Sequence, residues 1–78
     1  MTSVTVLFFG ELAEIAGTKS TTLSDLHDTI ALKDYIHLNY PRLNDKTFTM
    51  ALNKELVTEK QLLKNGDEIA LLPPYAGG

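Results

Sequence analysis

No cysteine occurs anywhere in this chain of 78 residues, so neither a disulfide nor a thiolate-bound metal can fasten it. Its fold must rest on packing alone. A chain of this length removes only about 60% of its unfolded surface from water, which allows one small core but not a core and a deep substrate cavity together. One domain is expected, and a self-sufficient enzyme is not. The same absence excludes any chemistry that needs a side-chain thiol.

Charge narrows the partners. Ten acidic residues outnumber seven basic ones for a net charge of −3, and the basic residues are scattered from Lys19 to Lys64. A protein that grips a phosphate backbone needs clustered Lys and Arg, so nucleic acid is not an expected partner. The longest apolar runs, Val6 to Phe9 and Ile69 to Leu72, hold four residues each. A membrane span needs about 20. Met1-Thr2-Ser3 does not begin a basic segment followed by an apolar stretch, so no secretory signal is visible and a cytoplasmic protein without a membrane partner is expected.

Val4-Thr5-Val6-Leu7-Phe8-Phe9 is rich in β-branched and aromatic residues and predicts a central strand. Thr5 is its one polar residue, which predicts cover on both faces. After Gly10, the residues Leu12, Ile15 and Ala16 recur at helical spacing while Glu11 and Glu14 point elsewhere, a short amphipathic helix that Gly17 can end. Lys19 to Leu26 predicts a second strand returning beside the first. A longer helix is expected over about Ile30 to Asn39, capped by Asp28 or Thr29, with Leu32, Tyr35, Ile36 and Tyr40 as its buried stripe and Pro41 as its stop. Arg42 to Lys46 reads as a polar connection.

Phe48, Met50 and Leu52 alternate with Thr47, Thr49 and Ala51, the period of a strand with one face inward. Asn53-Lys54 turns the chain into a short arm, Glu55 to Val57. Leu62 and Leu63 are expected to plug a core edge, and Asn65-Gly66-Asp67 is a turn before a last strand, Glu68 to Leu72. This order suits an α+β fold in which a sheet packs against one main helix. A crossover through that helix back to the sheet matches the β-grasp arrangement.

Side chains offer little catalytic chemistry. His27 and His37 are ten residues apart with no further ligands nearby, which assigns them to the surface or to capping and not to a metal. Glu11 and Glu14 read as a solvated helix face. Gly10, Gly17 and Gly66 stand alone, each explained by a cap or turn, so there is no phosphate loop.

The tail remains: Leu72-Pro73-Pro74-Tyr75-Ala76-Gly77-Gly78. Prolines hold a chain extended and keep it from pairing as another strand, and residues without a side chain pass through a channel too narrow for a Cβ. The reactive group at the tip is the α-carboxylate. It is ionised at neutral pH and a poor electrophile, so another protein must activate it.

These residues carry a resemblance. Leu7-Phe8-Phe9-Gly10-Glu11-Leu12-Ala13-Glu14-Ile15-Ala16-Gly17 resembles the opening strand and inserted helix of the MoaD-type small subunit of molybdopterin synthase. Tyr40-Pro41-Arg42-Leu43 is similar to the end of that family's main helix, and Ala51-Leu52-Asn53 to its hairpin. The stretch from Asn65 to Gly78 is similar to its closing turn, strand and tail. The resemblance implies a ubiquitin-like β-grasp fold with a mixed sheet against one main helix and a short inserted helix after the first strand. It also divides the chain into a domain over 1–72 and an extended tail over 73–78.

For function, the resemblance implies a sulfur carrier without catalysis of its own and with no bound cofactor. An adenylyltransferase related to ubiquitin-activating enzymes (MoeB-like) would use ATP to adenylate Gly78, and a sulfur donor would convert it to a thiocarboxylate. The tail, Pro73, Pro74, Tyr75, Ala76 and Gly77, would then enter the large synthase subunit (MoaE-like), where the sulfur builds the dithiolene of molybdopterin. A thiocarboxylate needs no cysteine, which agrees with the composition.

The chain departs from the family in two places. Ala13 stands where many members carry a basic residue, and Tyr75 where a smaller apolar residue is common; Tyr75 is expected to fill a pocket on the large subunit, the alternative being a place on the domain's own surface. Phe8, Leu63 and Leu72 are candidates for a docking patch, with core packing as the expected role of each. Two other functions fit a tail ending in two glycines: a thiazole-pathway (ThiS-like) sulfur carrier, which usually lacks the inserted helix and the Pro-Pro-x-Ala-Gly-Gly ending, and a ubiquitin-like modifier joined to lysines through Gly78.

Overall fold

A computed structural model describes residues 2–73. Among them the order is β1 (Ser3–Phe8), α1 (Glu11–Ala16), β2 (Ser20–Ser24), α2 (Thr29–Asn39), a 3-10 turn (Pro41–Leu43), β3 (Thr49–Leu52), β4 (Glu55–Leu56) and β5 (Glu68–Leu72). The strands form one mixed sheet in the order β2-β1-β5-β3-β4. β5 lies in the middle. It runs parallel to β1, with Thr5 opposite Glu68 and Phe8 opposite Leu71, and antiparallel to β3, with Thr49 opposite Leu72 and Leu52 opposite Ile69. β2 closes the other side of β1, Val4 opposite Leu23. This is the β-grasp arrangement.

The core lies between one face of this sheet and α2. Val4, Val6 and Phe8 of β1, Leu23 of β2, Ile69 and Leu71 of β5 and Met50 of β3 pack with Leu32 and Ile36 of α2, and Leu12 of α1 and Leu43 close the cluster. Each such side chain contributes roughly 1.5–3 kcal/mol on leaving water. α2 starts where expected: Asp28 is extended, and its Oδ1 accepts a hydrogen bond from the Ala31 N–H at 2.8 Å. Thr29, buried at the first turn, exchanges bonds with Gln61. Its hydroxyl oxygen accepts from the Gln61 N–H at 3.1 Å and its own N–H donates to the Gln61 carbonyl at 3.0 Å. Those bonds tie the loop before β5 to the start of the helix.

Several expectations need correction. β1 is not covered on both faces: Val4, Val6 and Phe8 are buried while Ser3, Thr5 and Leu7 are half-buried, because α2 covers only one side of the sheet. Tyr35 lies off the buried stripe of α2 and is 36% exposed. Leu43 is fully buried although it falls in the segment expected to be a polar connection; Pro41 ends the helix by starting a 3-10 turn that folds Leu43 inward. On β3, Ala51 is buried as well as Met50, since strands flank it on both sides and its side chain is small. Leu63 is buried but Leu62 is 71% exposed, as successive residues of extended backbone point opposite ways.

Two turns hold the sheet's lower edge. Asn53 and Lys54 both have positive φ, 49° and 75°, the backbone that lets a two-residue hairpin follow the strand twist. Asn53 also reaches across to β5: its Oδ1 accepts from the Glu68 N–H at 2.9 Å and its Nδ2 donates to Asp67 Oδ1 at 3.0 Å. Asp67 Oδ2 accepts from the Lys64 N–H at 2.8 Å. The Asn53 amide first, and the Lys64 backbone second, hold the Asp67 carboxyl below the usual carboxylate range.

Removing a core side chain should be costly here. Leu32→Ala or Ile36→Ala is expected to lower the unfolding free energy by about 2–5 kcal/mol, whereas Leu38→Ala, at an exposed position of α2, should change it by less than about 0.5 kcal/mol in urea titrations. Asp67 gives a second test. Its folded pKa lies below its unfolded one, so its bonds stabilise the fold above the ordinary value of 3.8 and are lost as pH falls through the lowered folded value. The stability advantage of the native protein over Asp67→Ala should therefore be full at neutral pH and shrink in acid below about pH 4. Urea titrations of both proteins from pH 7 to pH 2 check it.

Candidate functional site

The root of the C-terminal tail is fixed by the sheet. β5 is paired with β1 up to Leu71 and with β3 up to Leu72, and the Phe9 N–H donates to the Leu71 carbonyl at 3.1 Å, so the chain is held until it reaches Pro73. Proline has no N–H and cannot continue the ladder. The chain thus leaves the sheet at the edge that also carries the end of β1, the start of α1 and the start of β3. Pro73 is the described part of the expected site. Pro74, Tyr75, Ala76, Gly77 and Gly78 lie outside the described residues.

Pro73 leaves the sheet against Gly10. A Cβ built on Gly10 would stand 3.0 Å from Pro73 Cγ, closer than real Cβ atoms tolerate without a shift. Gly10 also has φ 57° and ψ −136°, a combination open essentially to glycine. The residue therefore does two things at once: it turns the chain from β1 into α1, and it leaves space for the first proline of the tail. α1 begins directly afterwards, with the Leu12 N–H donating to the Phe9 carbonyl and the Ala13 N–H to the Gly10 carbonyl, both at 3.1 Å. Gly17 closes α1 at φ 80°, as expected, donating to the Ala13 carbonyl at 2.9 Å.

Beside this root is an open concavity of about 450 Å³ lined by Phe9, Gly10, Ala13, Glu14 and Lys19 among others. Ala13 contributes no charge to it, but Lys19 at the start of the β2 segment does, so a cation stands in the concavity from a different element. Of the candidates for a docking patch, Phe8 and Leu63 are core residues. Leu72 is half-buried and lies on the face of the sheet opposite α2, where register places it with Leu7, Ala70 and Leu56. Leu7 and Leu56 were legible as members of that face only through strand parity, since register decides which apolar residues sit side by side.

The other candidate residues do not converge. His27 precedes α2 and its carbonyl accepts from the Leu63 N–H at 2.8 Å, while His37 sits in the last turn of α2. Glu11 stands 4.0 Å from Lys46 Nζ with both side chains well exposed, a pair worth little, and Glu14 lies on the solvent side of α1.

The profile of the ThiS family matches residues 6–78. A molybdopterin synthase sulfur carrier subunit of Chlamydomonas reinhardtii is 40% identical over 96% of this chain and 98% of its own length. Among solved structures, the small archaeal modifier protein 1 of Methanosarcina acetivorans superposes with a TM-score of 0.82 at 28% identity, covering all of this chain and 98% of that one. A complex of subunits 1 and 2 of the molybdopterin-converting factor of Helicobacter pylori contains a chain that superposes with a TM-score of 0.78 at 29% identity, over 99% of this chain and 100% of that one.

The contact at the tail root sets an expectation. Gly10→Ala should destabilise the fold by about 1–3 kcal/mol, combining the backbone conformation with the collision at Pro73, whereas Gly17→Ala, with open space around its Cβ position, should cost only about 1 kcal/mol for its left-handed conformation. Thermal melts of the two variants compare them directly.

Proposed function

The chain belongs to the ThiS family, and on that footing we propose that it is the sulfur-carrier small subunit of a molybdopterin synthase. The observation that carries this reading is the full-length likeness to a molybdopterin synthase sulfur carrier subunit. The central strand ending in a proline-led tail supports it, because that arrangement presents a chain terminus on a rigid base. The reacting group is the Gly78 carboxylate. Its oxygen attacks the α-phosphorus of ATP on an activating partner and displaces pyrophosphate, giving an acyl-adenylate. Hydrosulfide from a sulfur donor then attacks the carbonyl carbon, the C–S bond forming as the C–O bond to AMP breaks, and loss of its proton leaves the terminus as a thiocarboxylate. Splitting a difficult substitution into two easier ones is the usual gain from a covalent intermediate.

Delivery follows from size. A domain of this length has no deep cavity of its own, so the large synthase subunit supplies the catalytic side chains and the tail enters it, Gly77 and Gly78 leading and Pro73, Pro74, Tyr75 and Ala76 lining the entry. The Helicobacter pylori complex of subunits 1 and 2 supports a partner of this kind. No described helix is long and apolar enough to cross a membrane, and we place the protein in the cytoplasm beside its partners. No cofactor binds the carrier itself in this scheme; ATP belongs to the activating partner.

A second reading rests on the likeness to a small archaeal modifier protein. In it the activated Gly78 is joined to lysines of other proteins. A thiazole-pathway carrier, suggested by the family's name, would share the thiocarboxylate but deliver it to a different synthase.

Mass spectrometry of the protein isolated from its native cells separates these readings. A carrier should show a population heavier by the replacement of one oxygen with sulfur, mapped to Gly78, and recovery with a molybdopterin synthase large subunit or with a thiazole synthase tells the two carriers apart. Gly78 found only in isopeptide bonds to lysine would replace the carrier reading with the modifier one. Removing Gly77 and Gly78 should abolish sulfur transfer while shifting the melting temperature by no more than about 1 °C, since terminal residues outside the core contribute little to stability. Sulfur delivery by the shortened chain would exclude the tail mechanism.

A further inference from the structure

We propose that the groove between α2 and the β3 edge is a docking site for an acidic, extended peptide segment of a partner protein. Two neighbouring concavities, of about 340 Å³ and 210 Å³, share Lys33 and Phe48 in their walls and together make a groove on the side of the sheet that carries α2. Its floor is apolar. Phe48, Met50 and Val57 line it, and Ile30 of α2 stands over it 53% exposed, a large apolar side chain left in water on a helix otherwise packed through Leu32 and Ile36.

The charge of the groove is opposite to that of the chain. Lys33 and Lys60 line the larger part, and Lys33, His37 and Lys46 the smaller. Lys33 and His37 are one helical turn apart and so share a face of α2. Glu59 is the one carboxylate among the lining residues. A protein with three more acids than bases thus gathers three of its seven Lys and Arg side chains around one apolar trough. Internal ion pairing does not account for this: among the described residues the pair involving these lysines is Lys46 with Glu11, 4.0 Å apart and exposed. His37 is held in place, its Nδ1 bonded to Asn44 Oδ1 at 2.8 Å and its ring stacked on Phe48 with centroids 5.8 Å apart.

Backbone geometry favours an extended occupant. β4 is two residues long and pairs only with Ala51 and Leu52 of β3, and the Val57 N–H then donates to the Met50 carbonyl at 2.9 Å. Beyond that bond, no strand among the described residues lies beside the side of β3 facing the groove as the chain runs back through Thr49 to Phe48. An exposed strand edge of this kind accepts an added strand through main-chain hydrogen bonds, while side-chain pockets set specificity. Lysines flanking the edge keep other copies of this chain from pairing there and select a partner rich in carboxylates.

The test uses the full chain, labelled with nitrogen-15, and the blocked peptide acetyl-Glu-Leu-Glu-Leu-Glu-amide as probe, followed by amide chemical shifts. Shifts are expected at Lys33, His37, Phe48, Thr49 and Lys60, weakening as salt is raised. The double variant Lys33→Glu, Lys60→Glu should weaken binding by more than about tenfold, and Arg42→Glu combined with Lys19→Glu, an equal change of charge outside the groove, by less than about twofold. If the reversed double variant does not fold, Lys33→Gln with Lys60→Gln should weaken binding about threefold. The proposal is overturned if the probe shifts none of these amides, if acetyl-Lys-Leu-Lys-Leu-Lys-amide shifts them as strongly, or if the double variant binds like the native protein. Identical shifts with inorganic phosphate at matched ionic strength would also overturn it, in favour of a small-anion pocket.

Discussion

Everything in this fold hangs on β5, the strand made last and placed in the middle. On one side it holds β1 with β2, and on the other β3 with β4, so the sheet order β2-β1-β5-β3-β4 contains no other link between its two halves. The pairing of Thr5 with Glu68 and of Phe8 with Leu71 joins the two ends of the chain, and Ile69 and Leu71 are fully buried by it. Contacts so distant in sequence must overcome a large loop-closure entropy before they stabilise anything. Burial of both edges of β5 and of its inner face is what offsets that entropy. A consequence for function follows directly: the tail begins where the most firmly held strand stops.

Because the base of the tail is rigid, its direction of departure is set by local packing. Gly10 and Pro73 meet so closely that a Cβ on Gly10 would press on the proline ring, and the same glycine precedes α1 as its N-cap. The short helix is thus coupled to the tail through one residue. A terminus presented this way needs no ordered cavity on the carrier, since partners that bind it supply their own. A small domain can serve more than one partner if they use different faces. The sheet face bearing Leu7, Ala70 and Leu72 and the basic groove beside α2 are on opposite sides of the sheet, so a protein holding one leaves the other accessible.

Elements with strong local signals were legible from the residues. The period-2 run around Met50, the turn residues Asn53-Lys54 and Asn65-Gly66-Asp67, the cap at Asp28 and the stop at Pro41 all carry their reason in adjacent side chains. Errors arose where burial depends on what a distant segment covers. Leu43 looked like part of a polar loop and is core, because a 3-10 turn folds it under α1 and α2. Tyr35 fits the helical stripe by spacing, yet it stays outside the core cluster and 36% exposed. β1 looked covered on both faces because its composition is apolar, while the helix that covers it lies on one side only. In the candidate site, Gly10 was legible as a breaker, but its contact with Pro73 links residues from opposite ends of the chain and has no signature in either segment.

Sequence alone determined that the chain lacks thiols, that it has one small core, that its last strand ends in prolines, and that its terminus resembles that of a sulfur carrier. These follow from residue types and their immediate order, since propensity, capping and the missing proline N–H act over a few residues. Tertiary structure alone decided that the last strand is central, that Gly10 meets Pro73, and that Lys33, Lys46 and Lys60, scattered along the chain, line one groove. Charges and side chains far apart in sequence become neighbours only when strand register and helix placement bring them together, and no local rule specifies that juxtaposition.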